Sequence, residues 1–285
     1  MSKYNYIVTA CKPGGVSDAF TTSFTGNDSS SLNLVVARCD MFSVFAVLPE
    51  GLQKTMDVPV NGKIEFIRPL HFRGRAADSL LIVTAKETMC VLDYDVSSQS
   101  MVTRLTGSLS SSGNRPPQEI KGCLDPECRV AVVWASDGLL TVVPLDATGN
   151  YKDKTKYECY SLRLDELWVK DMQFLHGQDA PTLAVLYEDG KQKRHVKTYV
   201  INLKEKELQK GPWSQPNAES GASRLHALPR ACGGVLVFGD QSIAHLKGDA
   251  KEAAVALSMK PCIINCTAVI EETVDGCKYH PHPNQ

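Results

Sequence analysis

Short apolar, β-branched runs bounded by Gly, Pro, Asn and Asp recur from one end of the chain to the other, and no stretch of a dozen residues holds a convincing helical period. The pattern predicts an all-β chain. The runs also come in matched pairs: LNLVVA then MFSVFAV, LLIVTA then MCVLDY, VAVVW then LLTVVPL, TLAVLY then VKTYVINL, and GVLVFG then SIAHL. With Val35, Ile82, Val132, Val185 and Leu236 taken as equivalent anchors, successive positions differ by 47, 50, 53 and 51 residues. A period near fifty with a strand-turn-strand centre is the signature of a β-propeller, because a four-stranded blade buries its faces only against its neighbours. Five blades plus a fragment beginning near Cys262 are expected, with the five anchors buried on inner strands. YNYIVTA, from Tyr4 to Ala10, precedes the first repeat and is expected to supply a strand to the last blade.

The stretch from Ala180 to Trp213 shows how charge fits this pattern. TLAVLY is almost wholly apolar and predicts an inner strand; EDGKQKR predicts a turn with Gly190 free to take positive φ; HVKTYVINL returns with Val196, Thr198 and Val200 on one face. The basic residues Lys191, Lys193, Arg194 and His195 then fall at the turn and strand end. Lys204-Glu205-Lys206-Glu207 reads as a solvated connection to an outer strand, since opposite charges interleave instead of making a field of one sign. Pro212 is expected to limit further ladder hydrogen bonding, and Trp213 to cover the blade edge.

Composition narrows the function classes. The 285 residues carry 31 Lys and Arg against 32 Asp and Glu, a net charge of -1, whereas autonomous nucleic-acid binders present a basic excess. Direct DNA or RNA binding is not expected. Ten cysteines at irregular spacing and an N-terminus without an apolar leader point to a reducing compartment, cytosol or nucleus, so the sequons at Asn27 and Asn265 read as accidental. No apolar run approaches the ~20 residues of a membrane helix, and neither a membrane partner nor anything but a soluble chain is expected.

Candidate chemistry is sparse. Cys123 and Cys128, and Cys262 and Cys266, have loose metal-ligand spacing, but neither pair has a second pair at a suitable separation. Cys277, His280 and His282 lie together in a Pro-rich tail that does not specify a site. Asp165 and Glu166 are read as solvated loop carboxylates. There is no Gly-x-Ser-x-Gly elbow, phosphate loop or His-Glu-x-x-His. No catalytic residue, metal or cofactor is assigned, and a catalytic propeller with loop-borne groups at its channel is the opposing class. Convergent ionisable groups at the channel mouth would favour that class; an apolar rim would favour an adaptor.

The blades lack the Gly-His and Trp-Asp pair of the common propeller repeat, although WASDG, Trp134 to Gly138, imitates its strand-turn geometry. Instead YNYIVTACKP, LDPECR, DGLLTVVPLD, LRLDEL, FLHGQDAPT, RHVKTY and KEKELQKGPW closely resemble the first propeller of the large damaged-DNA-binding subunits, the adaptors of cullin-RING ubiquitin ligases. The resemblance runs from Met1 to about Cys266 and is most specific from Leu162 to Trp213, where it distinguishes the chain from the related large propeller subunits of splicing and polyadenylation complexes, a subunit of that RNA-processing kind being the alternative reading. It implies residues 1–266 as an incomplete first propeller of a seven-bladed ring, and 267–285 as a divergent tail from a truncated product, an alternative transcript or a gene-model error. It further implies a non-enzymatic scaffold that recruits substrate-receptor proteins in DNA damage recognition, nucleotide excision repair and ubiquitin-dependent protein turnover, in nucleus and cytoplasm. Damaged DNA would be reached only through a partner subunit, and cullin docking would belong to a later propeller. The matching residues are structural ones, so no partner-binding residue is assigned.

Overall fold

The computed structural model describes residues 14–26, 32–72, 74–109, 119–146, 159–248, 253–258, 260–262 and 264. They form five four-stranded antiparallel sheets. Blade 1 is β1 (Asp18–Thr22), β2 (Asn33–Arg38), β3 (Met41–Leu48) and β4 (Gly51–Pro59); blade 2 is β5 (Ile64–Leu70), β6 (Ser79–Thr84), β7 (Thr88–Asp95) and β8 (Ser100–Ser108). Blade 3 is β9 (Lys121–Leu124), β10 (Val130–Ser136), β11 (Leu139–Pro144) and β12 (Tyr160–Arg163). Blade 4 is β13 (Trp168–Phe174), β14 (Thr182–Glu188), β15 (Arg194–Asn202) and β16 (Glu207–Ala218), and blade 5 is β17 (Arg224–Ala227), β18 (Val235–Phe238), β19 (Ser242–Leu246) and β20 (Ala253–Ala256). Strand order within every sheet follows the chain, and the first strands β1, β5, β9, β13 and β17 stand side by side around a channel.

The all-β propeller expectation holds, with a correction to which strands are innermost. The five anchors lie on β2, β6, β10, β14 and β18, the second strand of each blade, and TLAVLY is likewise a second strand. The true first strands carry polar residues, as in DAFTT, KGCL and WVKDMQF, because one of their sides faces the channel. The second and third strands are sandwiched between blades and are apolar on both faces, so their signal dominates the pattern.

Four apolar clusters fill the four seams. Val35, Ala37, Phe42 and Val44 meet Ile67, Leu80 and Ile82 between blades 1 and 2; Leu81, Val83 and Val91 meet Ala131 and Val133 between blades 2 and 3. Val132, Trp134 and Val142 meet Leu183 and Val185 between blades 3 and 4; Ala184, Leu186 and Val196 meet Leu225, Val235 and Val237 between blades 4 and 5. Each fully buried Val, Leu or Ile contributes about 1.5–3 kcal/mol. The anchors therefore point different ways: Val35 and Val132 toward the following blade, Ile82 and Val185 toward the preceding one. A one-residue offset flips a strand residue to the other face. Four anchors are fully buried, but Leu236 is only half-buried, since it faces away from blade 4 while its neighbours Val235 and Val237 fill the seam.

Polar groups tie the seams together. Asp78, in the β5–β6 connection, accepts hydrogen bonds from the Thr22 hydroxyl (2.6 Å) and the Ser23 N–H (3.0 Å) of blade 1, and pairs with His71 Nδ1 at 2.6 Å. The His71 N–H meets Cys128 Sγ of blade 3 at 3.4 Å. Arg129, held by the fully buried Asp125 at 2.7 Å, donates to the Gln178 and Asp179 carbonyls of blade 4 at 3.1 and 2.8 Å. Asp171 of β13 accepts the Leu225 N–H of β17 at 2.8 Å.

Within blade 4 the turn differs in detail from the expectation. Gln192, not Gly190, takes positive φ (60°), closing a turn in which the Asp189 carboxylate accepts the N–H groups of Lys191 and Lys193. Val196 and Thr198 are buried and Val200 is half-buried on one face, as the alternation predicts. Pro212 does not end the ladder: β16 bulges between Lys210 and Ser214 and runs on to Ala218. The buried Thr198 hydroxyl bridges the bulge, donating to the Trp213 carbonyl at 2.5 Å and accepting the Trp213 N–H at 3.1 Å. Trp213 packs against the seam between blades 4 and 5.

Candidate interaction surface

The charged residues between Ala180 and Trp213 form no site. Lys204, Glu205, Lys206 and Glu207 are all exposed at the β15–β16 turn, where Glu205 accepts from Asn202 at 2.8 Å and the Lys206 ammonium lies 5.3 Å from the Tyr160 ring centre. Lys191 and Lys193 are exposed turn residues. Arg194 pairs with Glu188 at 2.5 Å, and His195 stacks on Tyr187 with Nε2 3.1 Å from Asp189.

One carboxylate is misplaced by sequence reasoning. Asp165 is exposed, as expected, but Glu166 is buried. It accepts a hydrogen bond from Lys197 Nζ at 2.8 Å and another from the Tyr199 hydroxyl. Burial and then the Glu166 carboxylate push the Tyr199 phenol up; burial depresses the Lys197 ammonium, yet Glu166 outweighs it and the net shift is upward. Lys197 and Tyr199 alternate onto the face of β15 that meets blade 3, so the cluster sits where the connection to β13 crosses that seam.

The cysteine pairs separate. Cys123 packs into the seam between blades 3 and 4 and Cys128 into the seam between blades 2 and 3, on opposite faces of one blade, so they do not converge on an ion. Burial pushes the Cys90 and Cys159 thiols up to about 11 and Cys123 well above its ordinary value, which keeps them protonated as small apolar groups. Cys262 is exposed. Cys266, Cys277, His280 and His282, both sequons, the Tyr4–Ala10 strand and the proposed 267–285 tail lie outside the described residues.

The channel is a cavity of about 710 Å³, and its wall is charged. Asp18 pairs with Arg68 across blades 1 and 2, Glu65 with Lys63 at 2.6 Å, and Glu119 with Lys121 at 2.6 Å. The hydrogen bond and charge of Glu65 hold the Lys63 ammonium above its usual range. Burial raises the Asp171 carboxyl, which accepts the Met172 and Leu225 N–H groups at 2.9 and 2.8 Å. Ionisable groups thus do converge, but the acids are committed to cations or to backbone donors that stitch the blades. The Asp18–Arg68 pair and the Asp171–Leu225 bond cross from blade to blade, while the Lys63–Glu65 and Lys121–Glu119 pairs offset charge within one blade.

The rim is more informative. At the far end of blade 1, Leu32, Val47, Leu48 and Leu52 are 46, 38, 42 and 58 % exposed, gathered by the Val47 N–H to Leu32 carbonyl bond of 3.0 Å and the Val47–Leu52 pairing. At the channel entrance of blade 4, Leu167 and Trp168 are about half exposed, beside a cavity of about 450 Å³ lined by Gly138, Leu139 and Leu164. Contiguous exposed apolar side chains on a propeller rim fit a surface that docks proteins. Sequence reasoning missed these residues because single exposed apolar positions carry no periodic signal.

A family model described as the RSE1/DDB1/CPSF1 first beta-propeller matches residues 15–272. DNA damage-binding protein 1a of Arabidopsis thaliana is 38% identical over 280 residues, covering 98% of this chain and 25% of its own length. DNA damage-binding protein 1 of Solanum lycopersicum and that of Oryza sativa subsp. japonica are each 37% identical over the same shares. The chain therefore spans about a quarter of the length of the curated relatives it matches. With five blades in chain order, a polar channel and a match over nearly all of its residues, the chain belongs to the RSE1/DDB1/CPSF1 first β-propeller family.

Proposed function

We propose that this propeller is a non-enzymatic docking scaffold of the damaged-DNA-binding adaptor type, recruiting substrate-receptor proteins to a cullin-RING ubiquitin ligase in DNA damage recognition, excision repair and protein turnover. The observation that carries the reading is the 38% identity to a relative named DNA damage-binding protein 1a across 98% of the chain. Two features of the molecule support it: exposed apolar side chains at the rim, and channel acids already taken up by ion pairs and backbone donors. In this reading damaged DNA is reached through a partner subunit, consistent with a net charge of -1. The cullin scaffold docks on a different propeller, and the chain is found in both nucleus and cytoplasm.

The test is affinity capture from nuclear extract with the tagged 285-residue chain, followed by identification of the bound proteins. Substrate receptors of cullin-RING ligases are expected, without the cullin itself. Recovery of polyadenylation or splicing factors in their place would assign the chain to an RNA-processing complex and overturn the adaptor reading.

A further inference from the structure

Between blades 4 and 5, at the end of the ring opposite the Leu167–Trp168 rim, lies a cavity of about 400 Å³ whose lining contains His176, Trp213, Arg230 and Lys247 and, among the described residues, no acidic side chain. The placement of these groups is built into the backbone. Gly177 lies beneath the Arg230 stem: a β-carbon there would stand 2.5 Å from Arg230 Cγ, so only glycine lets the arginine lie across the β13–β14 connection. Gly248, at φ +93°, does the same for Trp213, whose Cδ1 would be 3.0 Å from an added β-carbon. Neither Arg230 nor Lys247 has an acidic partner among the described residues, unlike the lysines and Arg68 of the channel wall. Two exposed cations thus border a recess with one half-buried indole wall and the buried Leu175 at its floor.

We infer that this seam is a recognition pocket for an acidic peptide segment of a protein partner, with Arg230 and Lys247 taking carboxylates and Trp213 packing against a neighbouring apolar side chain. Paired cations beside an aromatic wall suit that combination. The volume of about 400 Å³ suits one or two side chains. At the adjoining seam on the same end the exposed Glu127 and Asp179 flank Arg129, so the charge there is mixed and gives no continuous basic track for the phosphates of a nucleic acid. The inference is independent of the adaptor reading, because it concerns which chemistry the seam accepts and not which complex the chain joins.

The probe is a fluorescein-labelled peptide, Gly-Asp-Leu-Glu-Asp-Leu-Gly, titrated into the full chain at low salt and followed by anisotropy. Its Asn/Gln counterpart and a single-stranded oligothymidylate of matched charge serve as comparisons. Saturable binding of the acidic peptide is expected, at least tenfold tighter than the amide peptide, and weakened at least tenfold in Arg230→Glu/Lys247→Glu. Lys210→Glu, an exposed charge reversal on β16, should leave it unchanged, and all variants should melt with the parent chain. Gly177→Val should also weaken binding by displacing Arg230; if that variant is unfolded, the charge reversals alone decide. Absence of saturable binding, equal binding of the amide peptide, or indifference to the double reversal would overturn the inference. Tighter binding of the oligothymidylate, lost in the same double variant, would overturn the choice of an acidic peptide.

Discussion

Replacing Glu166 with Gln keeps the shape of a buried side chain while removing its charge. The carboxylate is 6 % exposed and holds Lys197 Nζ at 2.8 Å together with the Tyr199 hydroxyl, across the seam of blades 3 and 4. Removing one partner of a buried pair costs about 3–5 kcal/mol, because the other charge is left uncompensated. The Lys197 side chain is 29 % exposed and recovers part of its hydration, which places the expected loss nearer ~2–3 kcal/mol. At ~2–4 °C per kcal/mol for a chain of this size, the melting temperature should fall by roughly 4–12 °C. Asp165→Asn, at an exposed carboxylate next door, should change stability by less than ~0.5 kcal/mol. Thermal and urea unfolding of Glu166→Gln, Lys197→Met and the double variant measure this directly. The double variant should be more stable than the sum of the single losses predicts, since it removes both charges at once. Single variants that melt with the parent chain, or losses that simply add, would refute the buried pair.

Other perturbations test different parts of the account. Val185→Asp puts an unpaired charge into the fully buried seam of blades 3 and 4 at a cost of several kcal/mol, so an unchanged melting curve would contradict the blade assignment. Replacing Lys204 to Glu207 with Ser and Asn should leave partner capture intact and cost less than ~1 kcal/mol, the largest share being the Lys206–Tyr160 contact; loss of capture in a folded variant would make the turn a binding site. Burial raises the Asp93 carboxyl, but the Ser79 hydroxyl, Arg75 (2.6 Å) and Arg104 (2.8 Å) outweigh it and hold it below the usual 3.8. Its contribution is therefore complete above 3.8 and lost as the pH falls through the folded value, so Asp93→Asn should flatten the acid limb of a melting-temperature profile taken from pH 7 to 3, and parallel profiles would count against the network.

The repeat and the blade centres were legible because β2, β3 and their equivalents are apolar on both faces and bounded by turn residues. That same two-sided burial hides the phase. Nothing in a run such as LLIVTA says which residues face which neighbour, and Ile82 and Val185 point to the preceding blade while Val35 and Val132 point to the next. The innermost strands were overlooked because channel water lets them be polar and short, as in KGCL. Turn chemistry was only partly readable: Gly190 is the obvious candidate for positive φ, but the Asp189 carboxylate, by capping two N–H groups, places that conformation on Gln192. Glu166 looked like a loop carboxylate since its partners are 31 and 33 residues away and reach it only once β15 is laid against the seam. The candidate interaction surface was least legible of all. Leu167, Trp168 and the blade 1 cluster are defined by being left uncovered, a property of the folded ring and not of any local spacing.

The proposed docking of a ligase receptor on a preformed surface is open to calorimetric titration of the purified 285-residue chain with a purified cullin-RING substrate receptor. The account predicts saturable 1:1 binding with a negative heat-capacity change, as apolar rim residues are covered, weakened by Leu167→Ser/Trp168→Ser or by Leu48→Ser/Leu52→Ser in variants that still melt with the parent. No saturable heat with the receptor, alongside saturable binding to a polyadenylation or splicing subunit under the same conditions, would contradict it.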